Sequence, residues 1–445
     1  MRLSLLEILE ATGGGEVGGT QVGNTFSTFH TDSREVVHGG LFFALRGAEM
    51  DGHRFVSDAI KRGATGVVVE RRLDVPHGIV EIRVPDAWAA LFSLASFTLR
   101  RVSPLTVAVT GSNGKTSTKE MIAAILSKRL NVKKTSGNLN TETGVPLTIL
   151  SLEPEHTALV AEMGMQRAGD IARLVALARP SMGVITNIGT VHMEFFESQE
   201  HLARAKGEMV AGLPEDGVAV LNADDQFYPM LVAMTSAKVA SFGITKGDYR
   251  AEGYRSLTGG GSQFSVRGVD VRLSLEGRHQ ALNAVAALAA GVSTGVPLEE
   301  GAQALAEVEV EHRLQELPVA AGYSVVDDAY NASPESMLAA FEALVESPRR
   351  GRLLAVLGQM SELGALSEDA HRRVGTRAAE VFDAVCVLDG ERARTLAEAA
   401  GAELVTSRPA ARDWVRRNAR EGDRVLIKGS HSSHLDEVVR ELTET

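Results

Sequence analysis

The stretch LTVAVTGSNGKTS, residues 105–117, joins an apolar, β-branched run to a helix-forming segment through a short loop with two glycines. This context is typical of phosphate-binding loops, where glycines let backbone amides approach phosphate oxygens and the helix N-terminus adds positive potential. Lys115 offers a point charge for the β and γ phosphates, and the Thr116 hydroxyl suits Mg²⁺. The loop is the shorter GxxGKT type, with Val109 where the longer pattern has its first glycine. The predicted nucleotide-binding residues of this loop are Gly111, Ser112, Asn113, Gly114, Lys115, Thr116 and Ser117.

Strand-like and helical segments alternate after this loop. Buried strands are predicted at Thr157–Ala161, Met182–Thr186 and Val218–Leu221, each reached through a helical segment. This alternation predicts a parallel sheet with helices on both faces. Closely spaced strand candidates with glycine-rich turns then indicate an antiparallel insertion or edge, at Tyr249–Arg255, Ser262–Val266 and Val269–Leu275.

The chain is long enough for about three domains at ~150 residues each. The first hundred residues mix short strands with two helices and end at the break Ser103-Pro104. After Glu311 a second alternating unit begins, without a GxGxxG nicotinamide motif. We therefore expect an α/β protein with three domains. They are a small mixed α/β domain over residues 1–103, a central ATPase domain with a phosphate loop and a parallel sheet over residues 104–311, and a Rossmann-like α/β domain over residues 312–445.

Bulk properties exclude several classes of protein. The net charge of -11 argues against broad binding to nucleic acid, which needs clustered Lys and Arg. A single cysteine, Cys386, cannot form an internal disulfide. The first residues do not resemble a signal peptide, and no apolar stretch approaches the ~20 residues of a membrane span. We expect a cytoplasmic protein without nucleic-acid partners or membrane insertion. A monomer is expected, although the sequence leaves the oligomeric state open.

Polar residues follow two of the predicted strands. Glu162 ends the first and His192 follows the second, so both side chains are expected at the carboxyl edge of the sheet, where ligands of open α/β sheets gather. A carboxylate and an imidazole there are plausible Mg²⁺ ligands, direct or through water. Each residue taken alone is at least as often structural. The polar loop Gly137–Gly144 could bind a sugar or a carboxylate, or form a capped turn.

Ordered motifs over nearly the whole chain resemble the Mur ligases, the ATP-dependent ligases that build the peptide of bacterial cell-wall precursors. They are TDSR at residues 31–34, the phosphate loop, GNLNT at 137–141, EMGM at 162–165, TNIGTVH at 186–192, GRHQ at 277–280, DDAYNASP at 327–334, LGQMSELG at 357–364 and KGS at 428–430. The EMGM, DDAYN and LGQMSELG strings are most similar to the members that add D-alanyl-D-alanine. The resemblance therefore implies ligation of D-alanyl-D-alanine to UDP-N-acetylmuramoyl-tripeptide, with ATP and Mg²⁺.

The resemblance also implies residue roles. Substrate contacts would come from Ser33, Arg34, Arg46, Asn138, Asn140, Thr141, Asn331, Ser333 and Lys428. Nucleotide contacts beyond the loop would come from Asn283, which would read adenine, and from Arg313, Asp328 and Tyr330. Thr116, Glu162 and His192 would serve the metal. Lys206 matches a lysine that is carbamylated in many relatives, so the resemblance implies catalytic roles for Lys115, Glu162, His192 and Lys206.

One departure from the family pattern concerns the dipeptide site. His431 follows KGS where relatives usually have Arg, and a neutral imidazole cannot grip a carboxylate bidentately. Three questions stay open at this point: whether the third tripeptide residue is lysine or diaminopimelate, which group accepts the proton of the attacking amine, and how His431 affects dipeptide binding. Two rival interpretations share these residues. One is a related ligase with another acceptor, such as another Mur step or folate polyglutamate ligation, and the other is a nucleotide-gated binding protein.

Overall fold

The N-terminal segment builds a small mixed sheet. The computed structural model describes residues 1–14, 16–18, 25–47, 49–258, 260–310, 312–348 and 351–444. The first elements are β1 (Leu3–Ser4), α1 (Leu5–Thr12), β2 (Glu16–Gly18), β3 (Thr25–Phe26), β4 (Phe29–His30), β5 (Leu41–Phe43), α2 (Val56–Arg62), β6 (Gly66–Val69), β7 (Val80–Arg83) and α3 (Ala87–Val102). A five-stranded sheet has the order β2-β7-β6-β5-β4, in which β4 to β7 pair in parallel and β2 is antiparallel. The predicted mixed α/β character of this segment is confirmed.

The central segment carries the phosphate loop on a larger sheet. Its elements are β8 (Leu105–Thr110), α4 (Lys115–Leu126), β9 (Val132–Lys134), α5 (Gly144–Leu150), β10 (Ala158–Glu162), α6 (Asp170–Ala178), β11 (Met182–Ile185), α7 (Gln199–Ala211), β12 (Val218–Asn222), α8 (Tyr228–Ala233), β13 (Lys238–Gly243), β14 (Tyr249–Arg250), β15 (Glu252–Ser256), β16 (Ser262–Val266), β17 (Val269–Leu273), α9 (Arg278–Ser293) and α10 (Leu298–Leu305). The seven-stranded sheet has the order β14-β13-β12-β11-β8-β10-β9, and its β9–β10, β11–β12, β12–β13 and β13–β14 pairs are parallel. Strands β15, β16 and β17 form a separate antiparallel sheet, as predicted. The predicted strand Tyr249–Arg255 is wrong in extent, because Tyr249–Arg250 pairs in parallel with β13 and only the residues from Glu252 join the antiparallel sheet.

The C-terminal segment is a second layered α/β unit. Its elements are β18 (Gln315–Pro318), β19 (Ser324–Asp327), α11 (Pro334–Glu346), β20 (Leu353–Leu357), α12 (Ser367–Val381), β21 (Ala384–Leu388), α13 (Ala393–Ala400), β22 (Glu403–Val405), α14 (Arg408–Asn418), β23 (Arg424–Lys428) and α15 (Asp436–Thr443). The sheet order is β18-β19-β23-β20-β21-β22, with only the β18–β19 pair antiparallel among the described pairs.

The two faces of this C-terminal sheet are covered by different helices. Leu353, Ala355 and Leu357 of β20 pack with α11, α12 and α13, whereas Leu354 and Val356 pack with α14 and α15. Successive side chains of a strand point to opposite faces, so a continuous apolar run is buried on both sides. The expected Rossmann-like layering is thereby confirmed.

The chain divides into two compact units. One contains residues 1–108, 130–165 and 170–181, and the other contains residues 109–129, 166–169 and 182–445. The predicted domain boundaries at residues 103/104 and 311/312 stay predictions, and Glu311 lies outside the described residues. No helix in the described part of the chain is both long and apolar enough to cross a membrane.

Candidate active site

The phosphate loop closes tightly because two of its positions lack a side chain. Gly111 has φ +142°, and a Cβ there would lie 1.9 Å from the Thr186 hydroxyl. Gly114 has φ +81°, and a Cβ there would lie 2.3 Å from Oδ1 of Asn283. Both values of φ fall in the region that L side chains rarely adopt. Helix α4 begins directly afterwards at Lys115, so its N-terminal amides lie at the loop.

The segment after β11 forms hydrogen bonds with the phosphate loop. The Ser112 amide donates to the Asn187 carbonyl at 2.9 Å, and the Asn113 amide donates to the Asn187 side chain at 3.1 Å. The Thr186 hydroxyl donates to the Asn113 carbonyl at 2.6 Å. The Gly189 amide donates to the Ser112 hydroxyl at 2.8 Å. These bonds fix the loop backbone, which is the condition for a rigid anion cradle. The glycines, the amide-rich helix start and Lys115 together fit the triphosphate of a nucleotide.

Two lysines converge on one carbonyl oxygen of this loop. Lys115 Nζ donates to the Gly111 carbonyl at 2.9 Å and to the Ser112 carbonyl at 3.1 Å. Lys206, buried on α7, donates to the same Gly111 carbonyl at 3.2 Å. Burial, and then the charge of Lys115, lower the pKa of Lys206 well below its ordinary value. The structure therefore brings the predicted Lys206 to the phosphate loop and favours a neutral amine there.

His192 lies beside the same lysines. The pKa of its ring is lowered chiefly because it is buried, and the nearby amines of Lys206 and Lys115 add to this, while Glu362 opposes the shift. The Nδ1 atom of His192 lies against the carboxylate of Glu362. The adjacent His192 ring is the main reason that the pKa of Glu362 is lowered. Thus Lys115, Lys206, His192 and Glu362 form one cluster.

The start of α11 also touches the loop. Ser333 caps this helix, accepting from the Ser336 amide at 3.2 Å, and its hydroxyl donates to Oδ1 of Asn113 at 2.9 Å. Glu335 accepts from the Thr190 amide at 3.1 Å and from its hydroxyl at 2.8 Å. Ser333 was expected at the dipeptide site, and its contacts in the structure are instead to its own helix and to the phosphate loop.

A second polar cluster lies within the C-terminal segment. Lys428 and Asp328 form a buried ion pair at 2.7 Å, and Lys428 also donates to the Asn331 carbonyl at 3.0 Å. Burial raises the pKa of Asp328 and lowers that of Lys428, and each charge opposes the shift of the other. The Arg313 guanidinium stacks over Tyr330, 4.4 Å from the ring centroid. His431 lies 6.1 Å from Tyr330 between ring centroids, so the atypical histidine belongs to this cluster.

The polar loop after β9 holds Glu162 within the first unit. Asn140 donates from Nδ2 to Oε1 of Glu162 at 2.8 Å, and the Glu162 amide donates to the Thr135 hydroxyl at 3.0 Å. Thr141 accepts from the Gly144 amide at 3.3 Å, which closes the turn, and the Asn138 carbonyl accepts from the Asn140 amide at 2.7 Å. The predicted substrate loop thus has a capped-turn structure and also orients a buried carboxylate.

The remaining predicted substrate residues of the first unit are paired separately. Ser33 is buried in a short 3-10 helix, and the exposed guanidinium of Arg34 pairs with Asp32 at 2.6 Å. Arg46 pairs with Glu70 at 3.0 Å. The two guanidinium groups are therefore held by different carboxylates.

Comparison with known proteins agrees with this geometry. The sequence matches the Mur ligase middle domain over residues 109–291, the Mur ligase glutamate ligase domain over residues 312–431 and the Mur ligase family catalytic domain over residues 26–136. It is 37% identical over 429 residues to the UDP-N-acetylmuramoyl-tripeptide–D-alanyl-D-alanine ligase of Bacillus subtilis, with 93% of each chain covered. The chain belongs to the Mur ligase family. This Mur ligase is also 38% identical to the ligase of the same name from Escherichia coli, over 97% of its own chain and 96% of the relative.

A solved structure supports the same assignment. The crystal structure of MurF ligase from Thermotoga maritima in complex with ADP superposes on this Mur ligase with a TM-score of 0.82. The two are 30% identical, and the alignment covers 94% of this chain and 97% of that one. The predicted family, the three-domain α/β fold and the ATP-dependent ligase class are thereby confirmed.

Two carboxylates of the site, Glu335 and Glu362, were not predicted from the sequence. Glu362 lies in the string LGQMSELG and Glu335 directly follows DDAYNASP, yet neither string shows which distant residue the carboxylate meets. Glu362 contacts a histidine 170 positions earlier, and Glu335 contacts Thr190, 145 positions earlier. Only the placement of two strand-end loops beside each other could have revealed these pairs.

Proposed function

We propose that this Mur ligase joins D-alanyl-D-alanine to UDP-N-acetylmuramoyl-tripeptide, the reaction that gives the UDP-muramyl pentapeptide precursor of peptidoglycan. ATP phosphorylates the terminal carboxylate of the tripeptide, the amine of the dipeptide attacks the acyl phosphate, and phosphate leaves. The main support is the phosphate loop, on which two lysines converge. The chain that contains it is 37% identical, over nearly its whole length, to a ligase named for these substrates.

The charges at the loop suit this reaction. A triphosphate and a carboxylate must meet although both are anionic, so fixed positive potential is required at the point of transfer. Lys115 and the start of α4 supply that potential within a loop whose backbone is already fixed. The reaction needs no protein nucleophile. In agreement with this, the single cysteine is buried in β21 and its pKa is raised to about 12 by burial.

We assign the following residue roles on the basis of the family resemblance. Gly111, Ser112, Asn113, Gly114, Lys115, Thr116 and Ser117 would hold the phosphates. Asn283 packs against Gly114 and would contact the nucleotide, together with Arg313, Asp328 and Tyr330. Asn331 and Lys428 would serve the dipeptide end, whereas Ser333, which bonds to Asn113, would act at the phosphate loop. Ser33, Arg34, Arg46, Asn138, Asn140 and Thr141 would serve the UDP-muramyl substrate.

Mg²⁺ fits this site as a phosphate-bound ion. The described residues contain no group of three or more His, Cys, Asp or Glu placed to hold a metal. Mg²⁺ commonly keeps waters and takes one or two protein ligands beside substrate phosphates, so a sparse set of ligands is what it requires. Thr116, Glu162 and His192 are the residues we assign to it. When bound, the ion would neutralise charge on the transferring phosphoryl group.

Lys206 is proposed to carry a CO₂ adduct. Carbamylation requires a neutral amine, whose nitrogen bonds to the carbon of CO₂ while one proton leaves to solvent. The burial of Lys206 and its neighbour Lys115 favour that neutral form. Enzyme freshly stripped of CO₂ should regain activity when bicarbonate is added. Unchanged activity would exclude a functional adduct.

The decisive experiment is a product assay by mass spectrometry. ATP, Mg²⁺ and D-alanyl-D-alanine are supplied with either the lysine or the diaminopimelate tripeptide, and a folate acceptor with glutamate serves as the alternative. We expect ligated pentapeptide with at least one tripeptide, and none with folate. Oxygen-18 in the tripeptide carboxyl group should appear in inorganic phosphate. Nucleotide binding without any ligated product would instead indicate a nucleotide-gated binding protein.

A further inference from the structure

The loop between β20 and α12 contains a carboxylate for which no role has been assigned. This closing loop, residues 357–364, reads LGQMSELG. Glu362 adopts φ +60° and Gly364 adopts φ +53°, and a Cβ on Gly364 would lie 2.9 Å from Cα of Glu194. The Glu194 amide donates to the Glu362 carbonyl at 3.3 Å. The loop is therefore fitted closely against the segment that follows His192, and a positive φ at a non-glycine residue is the kind of strain kept at functional positions.

Glu362 meets the ring of His192 from outside its own segment. The carboxylate lies against Nδ1, and both side chains are largely covered, with 18% of His192 and 32% of Glu362 exposed. The carboxylate approaches Nδ1 closely without the geometry of a hydrogen bond, so the contact is electrostatic and steric. A carboxylate packed against the imidazole in this way restricts the orientation of the ring. Among the described residues, Glu362 is the carboxylate that the structure pairs with His192.

We infer that Glu362 is a positioning residue for the ligation: it orients His192, so that the nucleotide site is complete only when the C-terminal segment is docked against it. This inference rests on the proposed function, because it assigns Glu362 to the metal- and phosphate-binding role of His192. Glu362 acts through the ring and touches neither nucleotide nor substrate.

Two further contacts show that the same docking reaches the phosphate loop. Ser333 bonds to Asn113 within the loop, and Glu335 bonds to Thr190, two residues before His192. Together with Glu362 they place three side chains of the C-terminal segment on the two loops that form the nucleotide site. The three contacts lie on two separate connections, β19–α11 and β20–α12, so movement of this segment as a body would make or break them together.

The test is a double-mutant cycle between Glu362→Gln and His192→Gln. Glu362→Gln keeps the size of the side chain and removes its charge. Changes in a carboxylate that supports a metal-binding histidine typically cost about 10–100-fold in activity or metal affinity, and we expect a loss of kcat in that range with KM for the tripeptide within about twofold. In the His192→Gln background, Glu362→Gln should change kcat by less than about twofold.

A binding measurement runs beside the kinetics. Mn²⁺ is titrated into the enzyme–ADP complex of each variant and followed by electron paramagnetic resonance, which needs no turnover. The affinity for Mn²⁺ should fall with Glu362→Gln alone and should not fall further in the double variant. Glu398→Gln, an exposed carboxylate on α13, is the matched control and should match the wild type in all measurements.

The outcomes separate this inference from the proposed function. Equal losses from Glu362→Gln with and without His192, or no loss at all, would overturn the positioning role while the wild type still ligates. If the wild type forms no pentapeptide, the proposed function fails, and the Mn²⁺ titrations still decide whether Glu362 acts through His192. A fall in thermal midpoint that accounts for the lost activity of Glu362→Gln would make the residue merely structural.

Discussion

Lys115 turns back over its own loop instead of extending into solvent. Its ammonium group reaches two carbonyls of residues that precede it by four and three positions. A cation held in this way is already placed before a phosphate group arrives, so little side-chain freedom is lost on binding. The charge of Lys115 is therefore expected to matter chiefly for phosphoryl transfer.

Lys115→Ala should abolish ATP-driven ligation while leaving binding of the UDP-linked substrate largely intact. Removing one fixed group that stabilises transition-state charge typically costs 10²–10³-fold or more in kcat. Phosphate release measures the first property and calorimetric titration of the UDP substrate measures the second. Lys128→Ala, an exposed lysine just beyond α4, is the control. Equal loss of both properties would mean that the first and central domains are wrongly assigned.

His279 should make the stability of the protein depend on pH. Its Nδ1 is buried without a hydrogen-bond partner, and burial, followed by the charges of Lys428 and Arg313, lowers its pKa from 6.5 to about 4. The unfolded chain therefore binds a proton between these values while the folded chain does not, so stability falls as the pH drops from about 6.5 to about 4.

His279→Gln should weaken this pH dependence. The urea midpoint is measured at pH 7 and at pH 4.5 for the wild type and for the variant, with the exposed His77→Gln as control. The midpoint of the wild type should fall more than that of His279→Gln. An identical fall in both would show that other groups control acid sensitivity.

Single residues also mark how far the sequence could predict the site. The phosphate loop was predicted in full because strand, glycines, lysine and helix are adjacent in the chain. His192 was predicted from its position after a strand and Lys206 from the family resemblance, and the structure brings both to the loop. Glu362 could not be predicted, because its function depends on a contact between chain positions that no local pattern connects.

The residue that caps helix α11 also makes a contact with a distant part of the chain. The start of this helix, NASPES, has a serine cap, proline in the first turn and an acidic residue, which are ordinary helix-start signals. The same serine bonds to the phosphate loop. The cap therefore sets the position of the helix and links it to the nucleotide site.

Ser333→Ala should separate these two roles when compared with Ser407→Ala. Ser407 caps α14 by accepting from the Ala410 amide at 3.3 Å. Each change should reduce stability by about 1 kcal/mol through loss of the cap. Only Ser333→Ala should also change kinetics, raising KM for ATP severalfold, because only Ser333 reaches Asn113. Equal kinetic effects in both variants would mean that the contact with the loop has no function.

The lengths of elements were predicted unevenly. Strand β11, predicted at Met182–Thr186, spans Met182–Ile185, and β12, predicted at Val218–Leu221, spans Val218–Asn222, because both are continuous apolar runs. Strand β10, predicted at Thr157–Ala161, is displaced by one residue to Ala158–Glu162. Strands of two to four residues, such as β1, β3 and β18, were missed, since so few positions show no periodicity and their pairing depends on distant partners.

A buried ion pair also joins the C-terminal segment to the central segment. Its residues are distant in the sequence from those that contact the phosphate loop. The Arg424 guanidinium, at the start of β23, pairs with Glu276 at 3.0 Å, and Glu276 also accepts from the Ser347 hydroxyl at 2.7 Å. Glu276 directly precedes the turn into α9 of the central segment. Only 8% of Arg424 and 7% of Glu276 is exposed, so neither charge has ready access to water.

Glu276→Ala should therefore be strongly destabilising. Breaking a buried ion pair typically costs about 3–5 kcal/mol, and we expect a loss toward the lower end of that range, because Arg424 keeps the partly exposed Glu316 as a partner. Urea unfolding should show this loss, and limited proteolysis should release residues 312–445 more readily. Glu316→Ala is the comparison, because Glu316 also pairs with Arg424 at 3.0 Å but is 38% exposed. A similar cost in both variants would argue against Glu276 as the anchor.

At the scale of the chain, the class of fold could be predicted from the sequence. The contacts between the central and C-terminal segments could not. Alternation of strands and helices gave two layered α/β segments, and the structure confirms both. Contacts between the central and C-terminal segments include those of Ser333, Glu335, Glu362 and Glu276, which lie in loops or at helix ends. Such contacts depend on three-dimensional fit and leave no repeating pattern in the sequence.

The carbonyl oxygen of Gly111 accepts hydrogen bonds from both Lys115 and Lys206. This arrangement has a consequence that calorimetry can measure. Phosphate charge arriving beside the loop would raise the proton affinity of Lys206, so ADP added without Mg²⁺ should draw protons from the buffer. The apparent heat of binding at pH 8 should then vary with the ionisation enthalpy of the buffer, with the sign of net proton uptake. A CO₂ adduct on Lys206 would remove this variation, so the same titration with and without bicarbonate reports the chemical state of the buried amine.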